Sequence, residues 1–339
     1  MQDIDQRDRE LLSALEKDVP LASTPFAIIG QQIDMSEKEV IKRIERLKRE
    51  GLIRQLCAMF DMRALGYRSC LVAASVPDEK VEQAANVINA HPGVTQNYRR
   101  NHTLNLWFTI AVGSSSKLGL ERTIEILGEQ AECDAIRPLP TLKLYKTSSP
   151  EGAESHGEAA EGGLTPLNAQ EIECVRLLQR DLPLHPRPFE TLSRNSGIGA
   201  DEILACARTL LSRGQMRRFG AFVQPRKVGF GATAMGVWVV PQDRADELGR
   251  KISENRAVSH CYLRPTYDDW PYNLYTTVHG RSIEECESII NDLAIDTGID
   301  EKRALYPTRE FKKARIHYFA PEVEEWEAAH TSAREAAAS

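Results

Sequence analysis

Leu11, Leu12 and Leu15 fall on one stripe at helical spacing, which predicts a first helix over residues 5–17. A second helix is expected at 25–33, opened by Pro25 in its first turn, and a third follows up to Arg49. Ser36 and Glu39 form a capping-box signature at the start of this third helix, and Gly51 stops it. The run LeuIleArgGlnLeuCysAlaMetPhe (52–60) then reads as a strand opening a wing hairpin, so residues 1–64 predict a winged helix-turn-helix. From residue 65 the rhythm changes. Strands at 69–76, 94–100, 104–112 and 139–146 enclose helices at 79–90 and 116–129, and the order βαββαβ is the ferredoxin-like fold over 65–146.

The pattern then repeats. AspValProLeu (18–21) and AspLeuProLeu (181–184) stand 163 apart, as do Gly51 and Gly214, and Arg54 and Arg217. Tyr98 to Tyr262 is 164, Asn105 to Asn273 is 168, and ProThr at 140–141 to ProThr at 307–308 is 167, so one register runs through with small insertions at turns. The second half predicts helices at 168–180, 188–195 and 200–213 and a wing at 214–224, giving a winged helix-turn-helix over 164–227. Strands at 232–240, 257–264, 272–280 and 304–313, with helices at 243–254 and 282–296, give a ferredoxin-like domain over 228–320. Residues 147–163 are Gly-, Ala- and Glu-rich without apolar period and read as a flexible linker, and 321–339 as a C-terminal tail. The fold class is α+β: a tandem duplication whose two ferredoxin-like sheets pair as an intramolecular pseudo-dimer. Each sheet has an apolar face to cover, seen in LeuValAlaAlaSerVal (71–76) and MetGlyValTrpValVal (235–240).

Composition narrows the class. The chain has 339 residues, 42% hydrophobic and 27% charged, which suits a globular protein with two or more cores. No apolar run approaches the roughly 20 residues that span a bilayer, and a start as polar as MetGlnAspIleAspGlnArg is no signal peptide, so no membrane role and a cytoplasmic location are expected. Seven cysteines without a CxxC pair argue against a disulfide framework or a protein-held metal. A net charge of −6 weighs against nucleic acid. The third helix still carries Lys38, Lys42, Arg43, Arg46, Lys48 and Arg49 and keeps some capacity for phosphates, whereas its counterpart offers only Arg208 and Arg213. DNA is therefore an improbable partner.

Two stretches concentrate the chemistry. Residues 258–279 bring His260, Tyr262, Arg264, Tyr267, Trp270, Tyr272, Asn273 and His279 into one strand-turn-strand, and residues 95–109 do the same with Tyr98, Arg99, Arg100, His102 and Asn105. Arginines on a sheet face call for anionic partners, and carboxylates held in bidentate fashion are the natural ones. The halves have diverged at histidine: 164 before His260 stands Gln96, and 164 after His102 stands Thr266. A histidine here can donate a proton near neutrality or ligate an iron, and the residues alone leave both roles open.

The order winged helix then ferredoxin-like domain resembles the Lrp/AsnC family of transcription regulators. With TyrArgArgAsnHis (98–102), AsnLeuTrpPheThr (105–109), HisCysTyrLeuArgProThrTyr (260–267) and TrpProTyrAsnLeuTyr (270–275), the chain more closely resembles the siroheme decarboxylases, in the fused D and L form that serves haem d1 synthesis in denitrifiers. The resemblance spans about residues 5–318. It implies loss of carbon dioxide from acetate groups of siroheme, with His102, His260, Tyr98 and Tyr262 as catalytic candidates. Arg99, Arg100, Arg264, Tyr267, Trp270, Tyr272, Asn105 and Asn273 are then candidates for holding the substrate. No cofactor is required, because the conjugated macrocycle can take up electron density, and the siroheme iron belongs to the substrate. Related G and H subunits are implied as partners, and a homo-oligomer of pseudo-dimers is expected. A ligand-responsive regulator and a non-catalytic tetrapyrrole carrier are the alternatives.

Overall fold

The computed structural model describes residues 4–147, 165–194, 196–223 and 231–337. Nearly all of the expected linker and the expected boundary at 227–228 lie outside them. The first half runs α1 (Gln6–Lys17), α2 (Pro25–Gln32), α3 (Glu37–Arg49) and β1 (Ile53–Phe60). It continues with β2 (Tyr67–Ser75), α4 (Val81–Asn89), β3 (Val94–Arg100), β4 (Leu106–Gly113), α5 (Gly119–Gln130), β5 (Ala135–Leu139) and β6 (Lys143–Thr147). The second half repeats the order as α6 (Ala169–Leu178), α7 (Pro188–Ser193), α8 (Ala200–Ser212), β7 (Met216–Val223), β8 (Ala232–Trp238), α9 (Ala245–Ser253), β9 (Val258–Leu263), β10 (Leu274–Gly280), α10 (Ile283–Thr297), β11 (Lys302–Leu305) and β12 (Pro307–Lys313). A final helix, α11 (Pro321–Ala337), follows.

Like domains of the two halves merge. Residues 1–65 and 164–228 form one compact unit, and 66–163 and 229–339 the other. In the first unit the helices begin and end where the sequence predicts: Ser36 Oγ accepts from the N–H of Glu39, and Gly51 takes the left-handed φ of 73° that a helix stop needs. The box itself is only half made, since the Glu39 carboxylate turns to Arg43. The expected wings are corrected. β1 makes no local hairpin but pairs antiparallel with β7, one strand from each half. After Phe60 the Asp61 side chain accepts from the N–H groups of Arg63 and Ala64 and turns the chain away, and among the described residues β1 and β7 pair with each other.

The second unit holds two five-stranded sheets, ordered β12-β3-β4-β2-β5 and β11-β8-β10-β9-β6. The strands expected at 139–146 and 304–313 each prove to be two. β5 stays in the first sheet while β6 crosses to the second, and β11 stays in the second while β12 crosses to the first. Pro140 and Pro307 lie at the crossings, where the missing N–H removes a ladder bond and lets the chain leave its sheet. Helices α4 and α5 cover one face of the first sheet, α9 and α10 one face of the second. The remaining apolar faces share a third core of Ala73, Trp107, Leu139 and Val237, Tyr275, Leu305, so the expected pairing holds with strand exchange added. The expected tail is a helix: Trp326 of α11 packs edge-on against His91 at 4.5 Å, and buried Glu327 accepts from the N–H of Lys117.

Candidate active site

Strand register aligns the halves residue by residue on the face between the sheets. In the first sheet Glu310, Tyr98, Trp107, Ala73 and Arg137 lie in one row across five strands; in the second, Leu144, Tyr262, Tyr275, Val237 and Arg303 do. Each row ends in an arginine of the short strand β5 or β11. Neither Arg137 nor Arg303 stood out in the sequence, because no aromatic run marks their strands.

The hairpin arginines copy one another too. Arg100 donates through Nη1 to the carbonyl of Leu305 at 3.2 Å, and Arg264 through Nη1 to the carbonyl of Leu139, each reaching the other sheet where its strand pair crosses. Arg100 stands 5.9 Å from the Tyr98 ring and 5.8 Å from Trp107, and Arg264 5.0 Å from Tyr262 and 5.4 Å from Tyr275. Neither meets a carboxylate among the described residues, and the buried Nε of each has no partner. Burial lowers the pKa of both, that of Arg100 to about 10. A cation so placed lacks the counter-charge that burial calls for.

The hairpins differ in what covers these arginines. In the first, the Arg100 N–H donates to the Asn105 carbonyl and residues 101–104 make the turn. In the second, the Arg264 N–H donates to the Asn273 carbonyl and the loop 265–272 is twice as long. Its extra residues fold inward: Tyr267 and Trp270 exchange backbone hydrogen bonds of 2.9 Å, the Tyr267 hydroxyl donates to the Pro138 carbonyl at 2.6 Å, and Trp270 is fully buried with Nε1 donating to the Tyr275 hydroxyl. Asp269 accepts from Arg137 in bidentate fashion at 2.9 Å and 2.9 Å. The second hairpin is thereby closed: Arg264 is 6% exposed, while Tyr98, Arg100 and His102 of the first are half-buried.

His102 is held by Leu104, Trp270 and the Thr103 hydroxyl, which lies 3.2 Å from Nδ1. The Leu104 N–H donates to Nδ1 at 3.0 Å, which leaves the proton of the neutral ring on Nε2, and Trp270 packs edge-on at 5.1 Å. Burial, and then the charge of Arg303, lower its pKa. His260 lies elsewhere, paired across the ladder with Thr277 and Thr147, its ring 6.0 Å from that of Tyr262. Its Nδ1 bonds Ser259 Oγ at 2.8 Å, which also meets His279 Nε2 at 2.7 Å. Burial, and then His279, lower the His260 pKa. Tyr98 and Tyr262 are both pushed up to about 12, chiefly by burial, so both hydroxyls stay protonated.

Several expected substrate contacts have other tasks. Asn105 and Asn273 each grip both backbone groups of a neighbouring strand end, Val76 and Val240, through side-chain bonds of 2.8–3.1 Å. Arg99 pairs with Asp78 at the surface. Trp270 and Tyr272 are packing residues of the shared core, and in the closed half Tyr267 donates to the Pro138 carbonyl of β5 while Arg264 gives one donor to the Leu139 carbonyl. Part of the phosphate capacity expected of the third helix is taken up within the protein. Arg43 and Arg46 donate to the buried Asp8 at 2.8 Å and 2.5 Å, and Lys48 pairs with Asp181.

Comparison with known proteins agrees with this organisation in both copies. The family model described as AsnC-like ligand binding domain matches residues 64–146 and 227–312, and the siroheme decarboxylase NirDL-like HTH domain matches 8–54 and 171–217. The siroheme decarboxylase of Hydrogenobacter thermophilus is 35% identical over 322 residues, covering 94% of this chain and 96% of that one. The siroheme decarboxylase beta subunit of Oleidesulfovibrio alaskensis is 38% identical over 150 residues, covering 44% of this chain and 95% of its own. A crystal structure of the siroheme decarboxylase NirDL in complex with an iron-uroporphyrin III analogue superposes with a TM-score of 0.81 at 34% identity, covering 97% of this chain and 99% of that one.

Proposed function

Because the chain belongs to the siroheme decarboxylase family, we propose that it removes carbon dioxide from the acetate side chains of siroheme, leaving methyls, to give didecarboxysiroheme in haem d1 biosynthesis. The observation that carries the reading to these residues is the open first hairpin, where a partly buried guanidinium without a carboxylate, Arg100, stands near a histidine that presents a proton at Nε2, His102. A tetrapyrrole rim supplies the carboxylates that Arg100 lacks. As carbon dioxide leaves, the electron pair of the broken C–C bond passes into the conjugated ring, and a proton must reach the remaining carbon to finish the methyl. No protein-held cofactor is proposed. Arg100 is assigned to a spectator carboxylate, since a guanidinium on the reacting acetate would stabilise the ground state more than the transition state. His102, once charged, is the proposed donor: the imidazolium gives its Nε2 proton to the carbon and returns to a neutral ring. Substrate carboxylates close by would raise its pKa and favour that charged form. The Nε2 proton of the resting neutral ring occupies the lone pair that an iron would need there, which weighs against ligation. The half-length beta subunit relative covers one copy of the repeat, which supports related subunits as partners.

Anaerobic incubation of the pure protein with siroheme, followed by mass spectrometry, tests the proposal. A mass lower by one or two carbon dioxides is expected, and an unchanged mass with tight binding would turn the reading into that of a carrier.

A further inference from the structure

The register that equates Arg137 with Arg303 also equates their surroundings. Arg137 pairs across its ladder with Ala73, and Arg303 with Val237 at the same place in the second sheet. Both share a strand face with the leucine whose carbonyl takes a hairpin arginine: Leu139 beside Arg137, Leu305 beside Arg303. In the closed half the carboxylate of Asp269 sits on Arg137 with two bonds of 2.9 Å, and the Tyr267 ring lies 5.3 Å from the same guanidinium. In the open half the short loop 101–104 carries no acidic residue. Arg303 is exposed and meets no carboxylate among the described residues, and its charge is felt at His102. Asp269 thus occupies, from within the chain, the position that a ligand carboxylate would take in the other copy.

We propose that Arg303 receives a carboxylate of the tetrapyrrole in the open half, and that Asp269 fills the same position on Arg137 in the closed half, so that each chain binds one tetrapyrrole. This rests on the proposed function and adds its stoichiometry and a residue. A planar guanidinium that one copy already uses bidentately has the geometry to accept a rim carboxylate in the other. With Arg100 it would hold two spectator groups near His102.

Titration of the whole chain with an iron uroporphyrin III analogue, followed by absorbance, gives the test. One equivalent per chain is expected for the wild type. Arg303→Gln should weaken binding about tenfold or more, while Arg137→Gln, checked for folding by its melting temperature, should bind within about twofold of wild type. Proton NMR titration of His102 should show an upward shift of its pKa in ligand-free Arg303→Gln, as a guanidinium close to the imidazole requires, and no such shift would count against placing Arg303 at this site. Two equivalents per chain, or equal losses in the two arginine variants, would overturn the inference. Absence of any binding to the wild type would instead count against the proposed function.

Discussion

The two hairpins carry nearly the same residues on the same register and end in opposite states. Tyr98 and Arg100 are half-buried beneath a short turn, whereas Tyr262 and Arg264 are buried beneath a loop that folds Tyr267 and Trp270 inward and ties Asp269 to Arg137. The difference lies in a short insertion and one acidic side chain, not in the sheet. A duplicated sheet can therefore keep one copy for chemistry and turn the other into packing, because closing a site needs only a longer loop with a counter-charge at its tip. The closed copy still serves the open one, since Trp270 touches both Trp107, at 5.4 Å, and His102.

The sharpest way to break this comparison is to remove one histidine from each half. His102→Ala should lower siroheme turnover per folded molecule by roughly a hundredfold or more, the effect of losing a general acid. His260→Ala, tied into the Ser259 and His279 bonds of the closed half, should cost far less. Equal losses would mean that the closed half also turns over substrate. The arginines come next. Arg100→Leu should raise the Michaelis constant about tenfold. Arg264→Leu should leave it nearly unchanged and instead lower the melting temperature, because its guanidinium is closed in on the Leu139 carbonyl and strands that carbonyl when lost.

A third test separates the halves by pH. Buried His91 accepts from the Gly93 N–H, and Asn255 accepts from the Ala257 N–H at the same place in the second half, so one copy titrates and the other does not. Burial, then Lys312 and His330, lower the His91 pKa from 6.5 to about 4. The folded value lies below the unfolded one, so protonation favours unfolding: this stability is complete above pH 6.5 and is lost as the pH falls toward 4. The loss at pH 5 should be about 2 kcal/mol, and denaturant unfolding of His91→Asn should show that dependence reduced. The smallest effect is expected of Asp269→Asn, whose pair with Arg137 is partly exposed. Its stability cost should be under about 1 kcal/mol by thermal unfolding.

Much of this was legible in the sequence, and for identifiable reasons. Helix stripes, Pro25, Ser36 and Gly51 gave the first unit's helices, because each acts within a turn or two of where it stands. The residues that line the hairpins were legible by type, since Arg, His and Tyr gathered on one strand face have few apolar uses. Partnership was not legible. Nothing in LeuIleArgGlnLeuCysAlaMetPhe says that its ladder partner is β7 of the other half, and the strands broken at Pro140 and Pro307 read as continuous because the short runs on either side of each proline merge into one. Asn105 and Asn273 looked like ligand contacts because their strand-end bonds to Val76 and Val240 depend on tertiary neighbours. Arg137 did not stand out because its bidentate partner, Asp269, lies 132 residues on.

The exchange of β6 and β12 has a consequence for the order of synthesis. The first sheet takes its edge strand from residues 307–313, so it cannot be completed until most of the second half has left the ribosome. At roughly 5–20 residues per second, β3 waits on the order of ten to forty seconds with one edge unpaired. An open edge invites pairing with other nascent chains, and charged side chains are what normally deter it. Arg99 and Arg100 lie on that edge. These two arginines, one of which later pairs with the surface Asp78, would during those seconds be the chain's protection against its neighbours.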